Sequence, residues 1–236
     1  HDIYSAGDYE NEIISELEFF FKHQEIALLV GGSGMYINAV LKGLDNLPKN
    51  LRIREDLNKK FKKKGIAVLQ NELKKLDLTH YKNMDSQNPQ RIIRAIEVCL
   101  ITGRPYSSFL SNTSKKRSFS NLKFLLFLEK EILYNNINSR VDNMIKDGLI
   151  EEVETLKESN NLNALKTVGY KEIFDYLNGE IDKKSAIEKI KTNTKKYSKR
   201  QMTWFKKDPS YQWIDNTNIE KSKKSILKKI KEFKYD

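Results

Sequence analysis

Short apolar runs, separated by segments with helical spacing, set the pattern of this chain. Residues 25–30 (EIALLV) lead into a GGSG sequence at residues 31–34, which predicts a buried strand followed by a tight turn. Residues 123–128 and 211–214 predict two further strands. Strands that alternate with helices predict an α/β protein with a parallel sheet. Helical spacing covers residues 11–22, 35–44, 131–146, 149–157, 168–177, about 182–207 and 219–233.

The stretch between residues 51 and 113 predicts helices alone. Residues 52–64 and 66–76 have helical spacing and are separated by a glycine. Asn88-Pro89 predicts the start of another helix, because Asn caps a helix well and Pro fits its first position. An all-helical stretch inside an α/β chain indicates an insertion. We therefore predict a core of residues 1–47 and 113–236 and a helical insertion of residues 48–112.

Positive charge is concentrated towards the end of the sequence. The formal net charge of the 236 residues is +11. Residues 182–236 contain 17 Lys and Arg against 7 Asp and Glu, a net of +10, which leaves +1 for the rest. A basic segment on a nearly neutral body favours a polyanionic partner, although a lysine-rich solvated surface has the same charge.

Composition excludes several classes of protein. Cys99 is the only cysteine, which excludes a disulfide framework and a cysteine zinc site and indicates a reducing compartment. The three histidines are far apart, so the sequence predicts no metal site. No apolar run is long enough to cross a bilayer, and the first residues have no signal-peptide pattern. We expect a cytoplasmic protein without a membrane partner.

Two short motifs contain residue types suited to a ligand. The GGSG turn follows a predicted strand, where open α/β sheets bind their ligands, and Ser33 offers a hydroxyl. Such a turn is also common as a purely structural feature. The NPQRIIR sequence at residues 88–94 sets an amide and two guanidiniums at a helix start, suited to a phosphate or a base edge. The alternative is a capped helix with a solvated basic face.

The long predicted helix of residues 182–207 has two distinct faces. Apolar and aromatic side chains at near-heptad spacing predict a buried stripe of Ile187, Ile190, Tyr197 and Trp204. Cationic side chains on another face form a row of Lys196, Arg200 and Lys207. Such a row can follow the phosphates of a nucleic acid.

Four motifs occur in a fixed order: GGSGMY at residues 31–36, NPQRIIRAIEV at 88–98, VGYKEI at 168–173 and KRQMTW at 199–204. In this order and at this spacing they resemble the tRNA dimethylallyltransferase family. The likeness extends from about residue 4 to residue 204. Two alternatives are another enzyme of the P-loop fold, such as a small-molecule kinase, and a non-enzymatic basic RNA-binding protein.

The resemblance implies a P-loop NTPase-like parallel sheet flanked by helices, with an all-helical insertion. It implies a Mg²⁺-dependent enzyme that transfers a dimethylallyl group from dimethylallyl diphosphate to tRNA. The acceptor is N6 of the adenosine on the 3′ side of the anticodon, and this base leaves its stack to react. The expected protein is a monomer.

The resemblance also assigns site residues. Ser33 takes the position at which the family often has Thr, facing the target adenine, and is the expected catalytic residue. Arg54 and two of the motifs are expected to contact tRNA, and the cationic row adds two residues. The expected tRNA contacts are Arg54, Gln90, Arg91, Ile92, Ile93, Arg94, Lys166, Thr167, Val168, Gly169, Tyr170, Lys171, Lys196 and Arg200.

The sequence departs from the family pattern at one point. The family has a Walker A-like loop that holds the donor diphosphate with Mg²⁺. It also has an Asp-Ser-Gln-hydrophobic-Tyr segment, whose Asp acts as general base. The 236 residues contain neither a G-x-x-x-x-G-K-[ST] sequence nor that segment. We therefore expect that these residues by themselves do not transfer the dimethylallyl group.

Overall fold

A computed structural model describes residues 4–111, 113–160 and 162–235. These residues pack into two compact units. The helical unit comprises the residues up to Val30 together with Met35–Phe119, and the sheet unit comprises Gly31–Gly34 together with the residues from Ser120 onward. The predicted core and insertion, divided at residues 47 and 112, stay a prediction.

The helical unit is built around three helices that bury leucine and isoleucine side chains. Its elements are α1 (Ala6–Phe20), most of α2 (Gly34–Lys42), α3 (Leu51–Lys64), α4 (Ile66–Leu76), α5 (Leu78–Asn83), α6 (Pro89–Thr102) and a 3-10 turn (Tyr106–Phe109). The core between α3, α4 and α6 consists of Leu57, Leu69, Leu73, Ile92, Ile93, Ala95 and Ile96. The helices predicted between residues 51 and 113 are confirmed.

Helix α6 begins and ends where the sequence predicts. The side-chain oxygen of Asn88 accepts hydrogen bonds from the backbone amides of Gln90 and Arg91 at 3.1 and 3.3 Å. Gly103 adopts φ 66°, ψ 10° after the last turn, a left-handed conformation that favours glycine. These two residues fix the bounds of α6 without help from tertiary contacts.

The sheet unit contains two parallel strands and five helices in its described residues. The elements are β1 (Lys123–Phe127), α7 (Lys130–Lys146), α8 (Leu149–Thr155), α9 (Tyr170–Leu177), α10 (Lys183–Phe205), β2 (Tyr211–Asp215) and α11 (Ile219–Tyr235). Lys123 pairs with Tyr211 at one end of the ladder and Phe127 with Asp215 at the other. The core of this unit, to which α10 contributes its last two members, consists of Val141, Leu149, Val153, Ile173, Phe174, Ala186 and Ile190.

The predicted strand of residues 25–30 is wrong. This segment pairs with no other strand in the described part of the chain, and its apolar side chains are exposed, Leu28 by 84% and Val30 by 80%. A strand needs a neighbour to satisfy its amides and carbonyls. The two strands present, β1 and β2, pair with each other. Over the described residues the protein is therefore mostly helical, with a small parallel sheet.

The buried stripe predicted on α10 is correct only in its first half. Ile190 is buried, and Ile187 packs against the same core. Tyr197 and Trp204 remain 44% and 41% exposed. The core of the sheet unit meets the N-terminal half of α10, so the same spacing further along the helix faces other surroundings.

A buried glutamate joins three segments of the helical unit. Glu97 on α6 is fully buried and accepts hydrogen bonds from Arg54 at 2.7 Å and from Arg94 at 2.8 Å. It also accepts one from the backbone amide of Asn50 at 2.8 Å. Arg94 in turn donates to the carbonyl of Pro48 at 2.9 Å. This cluster fixes the segment before α3 against α6.

The same hydrogen bonds change the pKa of Glu97. Burial by itself raises the pKa of a carboxyl group, but the hydrogen bonds from Arg54, the Asn50 amide and Arg94 outweigh it. The pKa of Glu97 is therefore below its ordinary value of 4.5. A lowered folded-state pKa contributes stability above the unfolded-state pKa, and that contribution is lost as the pH falls through the folded value.

We predict that Glu97→Gln lowers the free energy of unfolding by roughly 1.5–3 kcal/mol at pH 7, because charge-assisted hydrogen bonds are lost. The difference from the wild type should shrink as the pH falls below about 4.5, because Glu97 of the unfolded chain then takes up a proton, and it should be lost as the pH falls through the lower folded-state pKa. Urea unfolding at pH 7, 5 and 3 measures both effects. A difference that stays constant across this range contradicts the role given to the Glu97 charge.

Candidate functional site

The glycine turn of residues 31–34 lies against the C-terminal half of α10. The side-chain amide of Gln201 donates a hydrogen bond to the carbonyl of Gly32 at 2.8 Å. A Cβ atom on Gly34 would lie 2.1 Å from Nε1 of Trp204, so the indole rests directly on the Gly34 backbone. Two motifs that are far apart in sequence, GGSG and KRQMTW, therefore form one contact.

Ser33 is at the centre of this turn, immediately before the first residue of α2. Its side chain is partly buried. Within the described part of the chain, the Ser33 hydroxyl makes no hydrogen bond. The first amides of a helix lack partners inside the helix and attract electronegative groups. Ser33 thus offers a hydroxyl, at a helix start, that can donate to or accept from a bound molecule.

The VGY loop, residues 166–171, is held by the same long helix. Gly169 adopts φ 106°, ψ −64°, a conformation that side chains rarely allow. Its backbone amide donates to the buried carboxylate of Glu172 at 2.8 Å. Asn193 on α10 donates to the other oxygen of Glu172 at 2.7 Å. The loop conformation therefore depends on a glycine and on a carboxylate that α10 fixes.

The two lysines of the VGY loop lie at one pocket. This pocket has a volume of about 230 Å³ and is lined by Asn160, Leu165, Lys166, Lys171, Phe174 and Asp175. Both lysine side chains are exposed. Two ammonium groups beside a pocket favour an anionic group such as a phosphate, with Asp175 as a local counter-charge. Thr167 is exposed between them, while Gly169 is buried and shapes the backbone.

The predicted site residues on α6 have three different surroundings. Ile92 and Ile93 are buried in the core of the helical unit. Arg94 binds Glu97 and the carbonyls of Leu47 and Pro48. The side chains of Gln90 and Arg91 are exposed and bind no other group in the residues that the structure describes. Of the five, these two are therefore placed to meet a ligand.

Arg54 has a partner inside the fold and is also partly exposed to solvent. One Nη atom of its guanidinium binds Glu97 at 2.7 Å, and a third of the side chain remains exposed. The other guanidinium nitrogens bind no group in the described chain. Arg54 is thus fixed by Glu97 on one side and open to a ligand on the other.

The predicted cationic row of α10 is exposed. Lys196 and Arg200 both point to solvent. The guanidinium of Arg200 lies 5.5 Å from the ring centre of Tyr197, a cation–π contact that limits its freedom. The row remains available to a polyanion.

Sequence reasoning missed four residues of these sites: Glu97, Glu172, Asn193 and Gln201. Glu97 follows Arg94 by three residues, a spacing that places both side chains on one helix face. The ion pair between Arg94 and Glu97 could therefore have been predicted from the sequence. The contacts of Asn193 and Gln201 join segments 21 and 169 residues apart. No local pattern indicates contacts at such separations.

In the described residues, no group of three or more His, Cys, Asp or Glu side chains is arranged to hold a metal ion. The same residues include no helix that is long and apolar enough to span a membrane.

Comparison with known proteins places the chain in a family. The sequence profile of the family described as IPP transferase matches residues 1–208. The chain belongs to the IPP transferase family. The tRNA dimethylallyltransferase of Christiangramia forsetii is 46% identical over 215 residues, 91% of this chain and 71% of that relative. The tRNA dimethylallyltransferase 1 of Bacteroides fragilis is 47% identical over 214 residues, 90% of this chain and 71% of that relative.

Solved structures agree with the family assignment. The tRNA isopentenylpyrophosphate transferase of Bacillus halodurans matches with a TM-score of 0.65 and 28% identity, over 97% of this chain and 73% of that one. A eukaryotic dimethylallyltransferase acting on tRNA matches with a TM-score of 0.72 over 93% of this chain and 58% of that one. At 22% identity, the second match shows a shared fold alone.

We predict that Gly34→Ala destabilises the sheet unit of this IPP transferase chain by about 1–3 kcal/mol, because the Trp204 ring must move. The higher helix propensity of alanine, worth less than about 1 kcal/mol, does not offset this clash. Gly31→Ala is the matched control, since no atom lies within 4 Å of its added Cβ. Urea unfolding followed by tryptophan fluorescence measures both variants. Equal stability of the two would disprove the close contact.

Proposed function

We propose that this chain forms the tRNA-binding part of a tRNA dimethylallyltransferase. The reaction transfers a dimethylallyl group from dimethylallyl diphosphate to N6 of the adenosine on the 3′ side of the anticodon. The observation that carries this proposal is the Ser33 hydroxyl, which makes no hydrogen bond within the described residues and is set on a glycine turn that α10 holds in place. Membership in the IPP transferase family and relatives named tRNA dimethylallyltransferase support it.

Ser33 acts at the target adenine in this proposal. A hydroxyl can accept a hydrogen bond from the exocyclic amine or donate one to a ring nitrogen of the base. Either contact orients the amine towards the allylic carbon. As the new C–N bond forms, the C–O bond to the diphosphate breaks and the amine releases one proton. Orientation of this kind lowers the barrier because the reacting atoms are already close and aligned.

The exposed cations contact the sugar–phosphate backbone of tRNA. Lys166 and Lys171 border a single pocket, and Arg91 and Gln90 are exposed at the start of α6. Lys196 and Arg200 add charge along α10. Contacts of this kind release counterions from the nucleic acid, so the affinity they provide falls steeply as the salt concentration rises. Ile92 and Ile93 support these contacts from the core.

The proposal also includes the type of fold to which the small parallel sheet belongs. The parallel pair β1 and β2, with helices in the connection between them, is a fragment of the kind of sheet that P-loop proteins have. We therefore propose a P-loop NTPase-like core with a helical insertion, as the order of the four sequence motifs implies. A cytoplasmic monomer is consistent with the composition.

The described residues do not fit a Mg²⁺ site. They contain no cluster of three or more carboxylate, histidine or cysteine ligands. In this proposal the described residues therefore do not hold the ion. The residues discussed above bind and orient the acceptor.

The reaction is tested with the product of the complete gene, tRNA, labelled dimethylallyl diphosphate and Mg²⁺. We expect labelled N6-dimethylallyladenosine after digestion of the tRNA to nucleosides. Ser33→Ala should lower the transfer rate by about 100-fold, because one preorganised hydrogen bond is lost. Ser33→Thr is the matched control, since it keeps the hydroxyl. Binding of tRNA without any transfer by the wild type would favour a non-enzymatic RNA-binding protein.

A second prediction separates two arginines on α6. Arg91→Ala should weaken tRNA binding and reduce the slope of log K against log salt by about 0.7–0.9, the value of one phosphate contact. Arg94→Ala should mainly lower the free energy of unfolding, because Arg94 binds Glu97 and two backbone carbonyls. Fluorescence titration at several salt concentrations and urea unfolding distinguish the effects. The reverse pattern would refute the assignment.

A further inference from the structure

The glycine turn that contains Ser33 has little internal means of keeping its shape. Gly31 and Gly32 are exposed and have no side chains to pack. Glycine also has the widest choice of backbone conformations of any residue. The bond from Gln201 to the Gly32 carbonyl is the one side-chain hydrogen bond that the described chain makes to residues 31–34.

Trp204 restricts the turn on the other side of Ser33. Its indole is in contact with the Gly34 backbone, where any larger residue would clash. Gln201 and Trp204 are three residues apart on α10 and therefore share one face of the helix. Ser33 lies between the two glycines that this face contacts. Both ends of the serine backbone are thus fixed by one surface.

The helix that presents this face is anchored independently of the turn. Ala186 and Ile190 are buried in the core of the sheet unit. Asn193 binds Glu172, which in turn holds the backbone of the VGY loop. Residues 193 and 201 are separated by about 12 Å along the helix axis, from a rise of 1.5 Å per residue. We therefore expect that replacing Gln201 leaves the position of α10 and the VGY loop unchanged.

We propose that Gln201 and Trp204 are positioning residues for Ser33. They hold the turn so that the Ser33 hydroxyl stays directed at the acceptor base, and they act on the reaction only through that hydroxyl. The inference rests on the proposed function, and it assigns to the KRQMTW motif a role distinct from the phosphate contacts of Lys196 and Arg200. A displacement of about 1 Å in a positioned group can reduce a rate by about 100-fold.

The structural part of the proposal is tested by hydrogen exchange on the 236-residue chain. Gln201→Met keeps the length of the side chain but removes the donor. We expect faster amide exchange in residues 31–36 and unchanged exchange in residues 166–171. Thr203→Ala is the matched control, because Thr203 is exposed and bonds only within α10, to the carbonyl of Lys199. Unchanged exchange in residues 31–36 of Gln201→Met, in a chain with native circular dichroism, overturns the proposal.

The functional part is tested by a double-mutant cycle in the product of the complete gene. Gln201→Met should lower kcat for dimethylallyl transfer by about 10–100-fold while KM for tRNA changes less than about twofold. In a Ser33→Ala background the same substitution should have no further effect, because it acts through the missing hydroxyl. Trp204→Ala should behave in the same way, and Trp204→Phe should retain most of the activity.

The outcomes of this cycle distinguish the positioning role of Gln201 from the proposed function. An inactive wild type refutes the proposed function, and the positioning role fails with it. An active wild type in which Gln201→Met and Ser33→Ala have fully additive effects refutes the positioning role alone. A general loss of stability would lower the apparent kcat by the same factor in both backgrounds, because fewer molecules are folded, which is a different result from the one expected.

Discussion

The position of the glycine turn depends on α10, because three of the four residues in the turn are glycines and have no side chains with which to hold it. Gln201 binds the Gly32 carbonyl and Trp204 covers Gly34, so the serine between them is fixed from outside. The 23-residue helix that supplies both contacts is packed into the core at its other end. The backbone that carries the Ser33 hydroxyl is thus fixed by the longest described helix of the sheet unit. Loss of that packing would affect Ser33 and the VGY loop together.

Buried glutamates perform the corresponding task in the helical unit. Glu97 binds Arg54 and Arg94, and Glu10 binds Lys115 and Arg117 at 2.8 Å each. Each carboxylate also accepts a backbone amide, so its charge is neutralised and its oxygens are satisfied inside the fold. Part of the positive charge of the sequence is therefore used to join segments of the chain. The net charge of +11 overstates what is available to a nucleic acid.

The sequence located helix ends and strands wherever local chemistry decides them. Asn88 and Gly103 bound α6 because capping and the left-handed conformation are properties of those residues themselves. Residues 123–127 and 211–215 form strands as expected, and they are parallel. The prediction failed at residues 25–30, because an apolar run shows a tendency to pair but not whether a partner is present. The predicted burial of Tyr197 and Trp204 was also wrong. Helical spacing shows which side chains share a face of the helix, but not which part of the fold that face contacts.

By itself, the sequence therefore determined the order of the motifs, the family they resemble and most of the helices, since these depend on residue types and short spacings. The tertiary structure alone decided which of the marked residues are exposed and which are held by contacts inside the fold. It placed Arg94 on Glu97 and backbone carbonyls, left Arg91 exposed, and brought Gln201 to a turn 169 residues away. Contacts between distant segments depend on how whole helices pack. That packing is a property of the complete set of side chains, which no single motif contains.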